Sequence, residues 1–475
     1  MSKGWKWFGL LLVCTALCLG ILPVTVWAAQ PDELWVNGTD ITKAPDYTVV
    51  CGGGTAVYDP NAKTLTLTDA TMETGNLTSR VIEISQNEEV EIILNGDNQI
   101  TWQSNAVFVG AGSKVTFCGS GNLTINAGSS SGIVSKGIVI VDGARLTAIC
   151  TGDGAIMVDE DFIIQNGATV VAKGTYYGVQ AGNLSISGNS ILDVTSSEAN
   201  CNALSITNNG DLLVSGSAVK AEATSNQASP AIYVSGDIII ENAAEVTAES
   251  KGMRGIYTDG DMTINDSTVI ATGTTQEGMI VVGRLTVNRS KLTASSKPND
   301  IIPAIVTEQL HVTASDVTAK GGLQLYDWGS GDADNASFSI TPAAGELAEF
   351  KVDGTNWDGS AAVHFQEGPQ SPYDTTVNFD ATTINCLDAY RYVHIKALST
   401  ATPHTYTIVR RDGYLSTGEE YWAEPPKEEA IDQPDAEQPA TNPEDGKDNP
   451  SMGGRKILCY AGCKQGIGLD QQEGT

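Results

Sequence analysis

The chain has 475 residues, of which 41% are hydrophobic, 6% aromatic and 18% charged. The charged fraction excludes a coiled coil, which takes about half of its residues from Ala, Glu, Lys, Leu and Arg. The hydrophobic fraction excludes wholesale disorder, because it is large enough to form a core. Acidic residues outnumber basic ones 57 to 27, which gives a formal charge of −30. We therefore expect no nucleic-acid partner, since phosphate binding depends on clustered Lys and Arg.

The N-terminus predicts a secretory signal peptide over residues 1–29. Two lysines precede a mostly apolar stretch at 8–26, and residues 26–28 read Val-Trp-Ala, a small-x-small cleavage site. No second stretch of about 20 apolar residues follows. We expect a secreted chain with no membrane insertion after cleavage, and an uncleaved membrane anchor is the alternative.

The cysteines argue against a disulfide scaffold. Seven lie outside the predicted signal peptide, which is an odd number, and most are far apart in the sequence. Only Cys459 and Cys463 are closely spaced, and no His or further Cys lies nearby to complete a typical zinc motif.

A repeated unit is the clearest feature of the sequence. A Gly or Ala followed by an aliphatic residue recurs at intervals of 23 to 28 residues from Ala106 to Ala304. Each unit contains three short runs of alternating polarity, such as 232–234, 238–240 and 246–248. Such alternation predicts strands with one buried face, and the Gly, Asn, Asp and Ser residues between them are typical of tight turns. Three strands and three turns per unit predict a triangular coil that buries its aliphatic side chains against neighbouring coils.

The sequence thus predicts an all-β solenoid with three parallel sheets. Small residues recur in the third strand and are expected to line a narrow core: Ala148, Ala172, Val194, Ala221, Ala248, Ala271, Ala294 and Ala319. A helical solenoid is excluded because the apolar residues recur at i, i+2 and because Thr, Val and Ser dominate. A leucine-rich repeat is excluded because its Leu-x-x-Leu-x-Leu frame is missing.

Four segments carry a resemblance to a known family. They are Leu-Trp-Val-Asn-Gly at 34–38, Gly-Gly-Gly-Thr-Ala-Val-Tyr-Asp at 52–59, Ile-Leu-Asn-Gly-Asp-Asn at 93–98 and Tyr-Val-His-Ile-Lys at 392–396. Over about residues 31–398 the chain resembles right-handed parallel β-helix (pectin-lyase-like) proteins. More narrowly, it resembles secreted β-helical surface proteins of Gram-positive bacteria of the carbohydrate-binding-domain-containing type. The resemblance implies a non-catalytic binding or adhesion protein. Because this fold hosts many activities, a calcium-dependent polysaccharide lyase or a glycosidase is the alternative.

The predicted organisation has four parts after the signal peptide. An N-terminal β cap at 30–80 precedes the parallel β-helix at 81–330, and a β-rich closing module follows at 331–422. Residues 423–475 form a disordered tail rich in Pro and acidic residues. Within it, 449–453 (Asn-Pro-Ser-Met-Gly) resembles a sortase sorting signal with Met where Thr is expected, so association with the cell wall is an alternative to free secretion.

A column of acidic residues forms the first candidate site. Asp211, Asp237 and Asp261 begin the second strand of three consecutive coils, and Arg284 takes the same place in the next. Stacked coils would hold these carboxylates about 4.8 Å apart, and Ca²⁺ prefers several carboxylate oxygens. The column therefore predicts a calcium site, and calcium is the only cofactor that the sequence suggests. In the lyase alternative, the resemblance to polysaccharide lyases implies that Arg284 acts as a base. Alternatively, the Asp side chains cap backbone donors at a turn.

Aromatic residues on the outer surface form the second candidate site. Tyr233 and Tyr257 take the outward position of the first strand in adjacent coils, where they could present ring faces to a sugar; Trp102 is a further candidate. Ordinary cross-strand pairing is the alternative interpretation. We expect an extracellular glycan as the partner, or else a surface protein. Acid pairs such as Asp259 and Asp261 arise by chance in so acidic a chain, and no residue is assigned a catalytic role.

Overall fold

The computed structural model describes residues 33–73, 80–297 and 302–326 in full, and beyond them the backbone of the strands as far as Leu415. The fold is a parallel β-solenoid of about 10 turns, as predicted. The predicted signal peptide, the acidic tail with its sorting-like segment, and Cys459 and Cys463 lie outside the described residues. Within the described part of the chain, no helix is both long and apolar enough to cross a membrane.

Each coil contributes three strands, and equivalent strands of successive coils pair in parallel to form three ladders. The first ladder contains Ile82–Ile84, Val107–Val109, Ile133–Ser135, Leu204–Ile206, Ile232–Val234, Ile256–Thr258, Leu323–Tyr326 and Val363–Gln366. The second contains Thr64–Thr68, Glu89–Asn95, Lys114–Cys118, Ile138–Asp142, Leu212–Ser215, Ile238–Glu241, Met262–Asn265, Ser337–Thr341 and Asp374–Phe379. Four longer strands run through both ladders: Ile156–Gln165, Val179–Ile186, Met279–Asn288 and Ile305–Thr313.

The third ladder forms a separate sheet. It contains Thr71–Met72, Asp97–Trp102, Asn122–Ala127, Arg145–Cys150, Thr169–Gly174, Ile191–Ser196, Ala218–Ala223, Glu245–Ser250, Thr268–Gly273, Lys291–Ser295, Asp316–Lys320 and Leu347–Asp353. The predicted column of small residues faces the core here, where each member is at most 1% exposed. Small side chains at these positions let the three sheets close over a narrow interior.

Antiparallel strands cover both ends of the ladders. At the N-terminal end Leu34–Val36 pairs with the first ladder, while Thr48–Cys51 and Gly54–Asp59 extend the second. Short elements complete this cap: the strand Thr39–Asp40 and the 3-10 helices Ile41–Lys43 and Pro45–Tyr47. At the C-terminal end the antiparallel strands are Ala381–Leu387, Tyr392–Leu398, His404–Val409 and Asp412–Leu415. Since an uncovered ladder end offers unpaired backbone groups to other chains, these strands protect both ends.

Parallel pairing extends beyond both predicted limits of the β-helix. It begins at Thr64–Thr68 rather than near residue 81, and it continues to Asp374–Phe379, past residue 330. The late coils escaped the repeat analysis because their strands lie farther apart in the sequence: Leu323–Tyr326 pairs with Val363–Gln366.

A column of buried serines holds the corner between the second and third strands. Four hydroxyl groups each accept the backbone N–H of the equivalent residue one coil earlier and donate to a carbonyl two residues back in their own coil: those of Ser217, Ser267, Ser290 and Ser315. The corner residues could not otherwise satisfy these donors away from water. Ala244 takes the same position in one coil and has no hydroxyl group to offer.

Candidate functional site

Tyr233 and Tyr257 lie side by side on the outer face of the first ladder. Parallel pairing aligns the two residues, their ring centroids are 5.7 Å apart, and the ring planes are inclined by only 14°. Both side chains are partly exposed. The structure thus places these two rings together, as the repeat predicts, while their role in sugar binding stays a prediction.

One carboxylate holds both phenol groups. The Tyr233 hydroxyl donates to Oδ2 of Asp259 and the Tyr257 hydroxyl donates to Oδ1, each at 3.0 Å. Burial raises the pKa of both tyrosines, and the negative charge of Asp259 adds to the effect; the pKa of Tyr257 reaches about 12. Both phenols therefore keep their protons and continue to donate at any physiological pH.

Arg254 contacts the ring of Tyr257. Its guanidinium carbon lies 5.7 Å from the ring centroid, within the range of a cation–π interaction. Its Nε donates to Oε2 of Glu277, in the following coil, at 2.8 Å. Because Glu277 and Tyr233 belong to coils on opposite sides of Tyr257, Arg254 approaches the ring from the side away from Tyr233. We call Tyr233, Tyr257, Asp259, Arg254 and Glu277 the aromatic stack.

The aromatic stack ends at Tyr233. The residue paired with Tyr233 in the preceding coil is Ser205, which is 4% exposed. Because Ser205 has no ring, Tyr233 is the last aromatic residue of this column in that direction, and its side chain is partly exposed.

Trp102 takes no part in this surface. It lies in the hydrophobic core, is 5% exposed, and pairs with Ala127 in the third ladder. Its indole Nε1 is buried and has no hydrogen-bond partner among the described residues. A ring in this position presents no face to a ligand in solution, so Trp102 is left out of the proposed site.

The acidic column links successive coils through hydrogen bonds. The backbone N–H of Asp237 donates to Oδ1 of Asp211, and that of Asp261 donates to Oδ1 of Asp237, both at 2.8 Å. Arg284 continues the series, since its N–H donates to Oδ1 of Asp261 at 2.8 Å. One oxygen of each carboxylate is thus used as a cap, as in the alternative interpretation, but the donor lies in the next coil rather than in the same turn.

Burial and neighbouring charge act on the centre of this column. Burial raises the pKa of Asp237 and the charges of Asp211 and Asp261 raise it further, while the N–H of Asp261 lowers it. Within the described residues, no group of three or more His, Cys, Asp or Glu side chains is arranged to hold a metal ion. Calcium binding by Asp211, Asp237 and Asp261 therefore stays a prediction for solution measurement.

A glycine precedes each capped residue of the column. A Cβ atom at Gly236 would lie 2.4 Å from Oδ1 of Asp211, and one at Gly260 would lie 2.4 Å from Oδ1 of Asp237. The absence of a side chain at these positions makes room for the carboxylate of the previous coil. Sequence reasoning found the Asp column but not this pairing, although the recurring Gly-Asp dipeptide was its visible signal.

Sequence reasoning also missed the roles of Asp259, Arg254 and Glu277. Asp259 had been noted only as a member of a chance acid pair with Asp261. Its spacing from Tyr257, two residues along an extended chain, was the available signal that its carboxylate follows the ring on the same face. Arg254 and Glu277 each precede the Gly that opens a unit, so the repeat aligns them one interval apart, and this opposite-charge pair was the available signal.

No family model and no curated protein matches the chain. The solenoid and the geometry of its outer surface are therefore the features that bear on function.

Proposed function

We propose that the protein is a secreted, non-catalytic carbohydrate-binding protein of the kind found among β-helical surface proteins of Gram-positive bacteria. Its ligand is an extracellular glycan, and a sugar ring packs against the partly exposed ring of Tyr233. The observation that carries this proposal is the aromatic stack, in which two parallel rings on the outer surface are fixed by Asp259 and Arg254.

A fixed aromatic face favours binding to a sugar. Both hydroxyl groups are held by one carboxylate, so the rings lose little conformational freedom when a ligand packs against them. The apolar face of a pyranose can contact the ring, while its hydroxyl groups can donate to the remaining acceptor sites of Asp259. Aromatic contact area combined with a few polar groups is typical of small-molecule sites.

A glycan array probed with the secreted protein, followed by calorimetry on the glycans retained, tests this proposal. Tyr233→Ala should weaken binding at least tenfold, because it removes the last ring of the aromatic stack, while circular dichroism should stay unchanged. Phe108→Ala is the matched control: Phe108 belongs to the same outward column, but the guanidinium of Arg80 covers its ring at 3.3 Å. Equal losses in the two variants would contradict a specific role for Tyr233.

The same glycans should be recovered unchanged. Incubation with pectins, alginates and host glycans should yield neither unsaturated products nor new reducing ends. Turnover would replace the proposal by the lyase or glycosidase alternative. The absence of any retained glycan on the array would refute carbohydrate binding itself.

A further inference from the structure

The outer face of the second ladder carries an aliphatic stripe that carbohydrate binding does not use. Ile140 pairs with Ile163, and Leu213 pairs with Ile239, with Ser185 between the two pairs in the same column. Neighbouring residues along each strand point into the core, so these five side chains point outward. All five are partly exposed. Four aliphatic side chains in one outward column, interrupted only by Ser185, form a partly exposed apolar stripe, and apolar surface rimmed by polar residues is typical of interaction sites.

Acidic and polar residues flank the stripe on both sides. The column before it contains Ile138 in the first coil and then Asp161, Asn183, Asp211, Asp237 and Asp261 in the other five. The column after it contains Asp142, Gln165, Ser215, Glu241 and Asn265. None of the outward strand positions in these six coils, all of which the structure describes, is a Lys or Arg. Lys114 and Arg284 mark the two ends, one coil before and one coil after this surface, which we call the acidic-aliphatic face.

The dimensions of the acidic-aliphatic face match one helix. Six coils separated by about 4.8 Å give a length of about 24 Å along the solenoid axis. An α-helix covers that length with about 16 residues at 1.5 Å per residue. The face is three outward positions wide, with an apolar column between two largely acidic and polar columns. A helix with an apolar side flanked by cationic residues is complementary to this pattern.

We propose that the acidic-aliphatic face binds a cationic amphipathic helix of another protein or peptide, lying along the solenoid axis. Its apolar side packs on Ile140, Ile163, Leu213 and Ile239, with a larger apolar side chain over Ser185. Its Lys and Arg residues lie over the two acidic columns. A second copy of this chain is disfavoured because it would bring equal rows of carboxylates together, and an anionic membrane surface is repelled for the same reason. The glycan surface on the first ladder is separate, so this inference does not depend on the proposed function.

A designed peptide tests the proposal on the whole protein. The probe is an 18-residue helical peptide with Leu along one side and Lys along both flanks, labelled for fluorescence anisotropy. One control peptide has the same composition in scrambled order, and a second has Glu in place of Lys. We expect the probe to bind at least tenfold more tightly than either control. Equal binding of the scrambled peptide would show non-specific attraction to an acidic protein and would overturn the proposal, as would no binding of the probe.

Substitutions in the acidic-aliphatic face test whether the peptide binds there. Leu213→Lys should weaken binding of the probe at least tenfold, and Leu213→Ser provides a milder change if the lysine variant fails to fold. Ile270→Lys is the matched control, since Ile270 is an outward residue of the third ladder with 41% exposure. Asp237→Asn with Glu241→Gln should weaken binding several-fold and reduce its salt dependence. Unchanged affinity in the folded Leu213 variants, or an equal loss in Ile270→Lys, would overturn the assignment to this face.

Discussion

The Oδ1 atom of Asp237 accepts the backbone N–H of Asp261 at 2.8 Å, so a side chain in one coil fixes the start of the second strand in the next. Equivalent hydrogen bonds join Asp211 to Asp237 and Asp261 to Arg284. At the opposite end of the second strand the direction is reversed: each serine hydroxyl accepts a backbone N–H from the coil before it. The two corners that flank the second strand therefore carry hydrogen bonds between coils in addition to those of the ladders.

The acidic caps should contribute measurable stability. Asp237→Ala removes the acceptor of the Asp261 N–H and should lower the free energy of unfolding by about 1 kcal/mol, the net value of a typical hydrogen bond. Asp237→Asn keeps an acceptor oxygen in the same place and should cost less. Denaturant unfolding of the two variants checks the ranking. Equal losses in the two variants would mean that the negative charge, not the acceptor oxygen, is what matters.

The glycine before each cap should resist substitution. A Cβ atom added by Gly260→Ala would lie 2.4 Å from Oδ1 of Asp237 and 2.5 Å from the carbonyl oxygen of Gly236. The coil must shift to relieve these contacts, at a cost on the order of 1–3 kcal/mol in the free energy of unfolding. Gly53→Ala is the control, because nothing lies within 4 Å of a Cβ at that position. Equal decreases in the melting temperatures of the two variants would contradict this account of the column.

The serine column predicts that one substitution lowers the stability of the protein and that another raises it. Ser290→Ala leaves the buried N–H of Ser267 without its acceptor and should cost about 1–3 kcal/mol in the free energy of unfolding. Ala244→Ser should have the opposite effect, because a hydroxyl there would accept the N–H of Ser217 in the pattern that its neighbours follow, a gain of about 1 kcal/mol. Denaturant unfolding measures both. If Ala244→Ser destabilises the protein, the column has no room for a hydroxyl in that coil.

The ladders could be predicted from the sequence because they depend on a repeated local pattern. Alternation along each strand and the 23–28-residue interval together set the register that places Tyr233 beside Tyr257 and aligns the alanines of the third ladder. The same register predicted that Asp211, Asp237 and Asp261 would be neighbours. Each of these is a statement about equivalent residues in adjacent coils, which a period alone determines.

The contacts within the site depend on side-chain conformation, which a period does not determine. The repeat aligns Arg254 with Glu277, but it does not show that the guanidinium group of Arg254 lies beside the ring of Tyr257. Trp102 follows Ile100 by two residues on one strand, so alternation places both in the core, and the interpretation of Trp102 as a surface ring overlooked this. The direction of the Asp caps, toward the next coil, became evident only from the structure.

Calcium should have little effect on stability. One oxygen of each column carboxylate already accepts a backbone N–H, which leaves fewer oxygens for a cation that takes six to eight ligands. We therefore expect the same melting temperature in excess Ca²⁺ and after chelation, and no heat on calorimetric titration. A rise in melting temperature with Ca²⁺ that disappears in Asp237→Asn would establish the calcium site that the sequence predicts.

Alkaline titration should report on the bond between Tyr257 and Asp259. Burial, followed by the charge and hydrogen bond of Asp259, raises the pKa of Tyr257 from 10.0 to about 12 in the folded protein. A pKa raised on folding means stability that is complete below pH 10 and lost as the pH rises toward 12. Asp259→Asn removes the carboxylate, so the pKa of Tyr257 should fall, and the loss of stability should be confined to a narrower range just above pH 10.

Near-ultraviolet absorbance of tyrosinate measures this change. Tyr58 serves as an internal reference, because burial raises its pKa to about 12 as well, and the carboxylates that add to the effect are Glu88 and Asp59. In Asp259→Asn the titrations of both Tyr233 and Tyr257 should move to lower pH, while Tyr58 still titrates near pH 12. In Tyr257→Phe one tyrosine should be missing from the group that titrates near pH 12. If Asp259→Asn titrates like the unmodified protein, the carboxylate does not hold the ring, and the aromatic stack lacks the rigidity on which sugar binding depends.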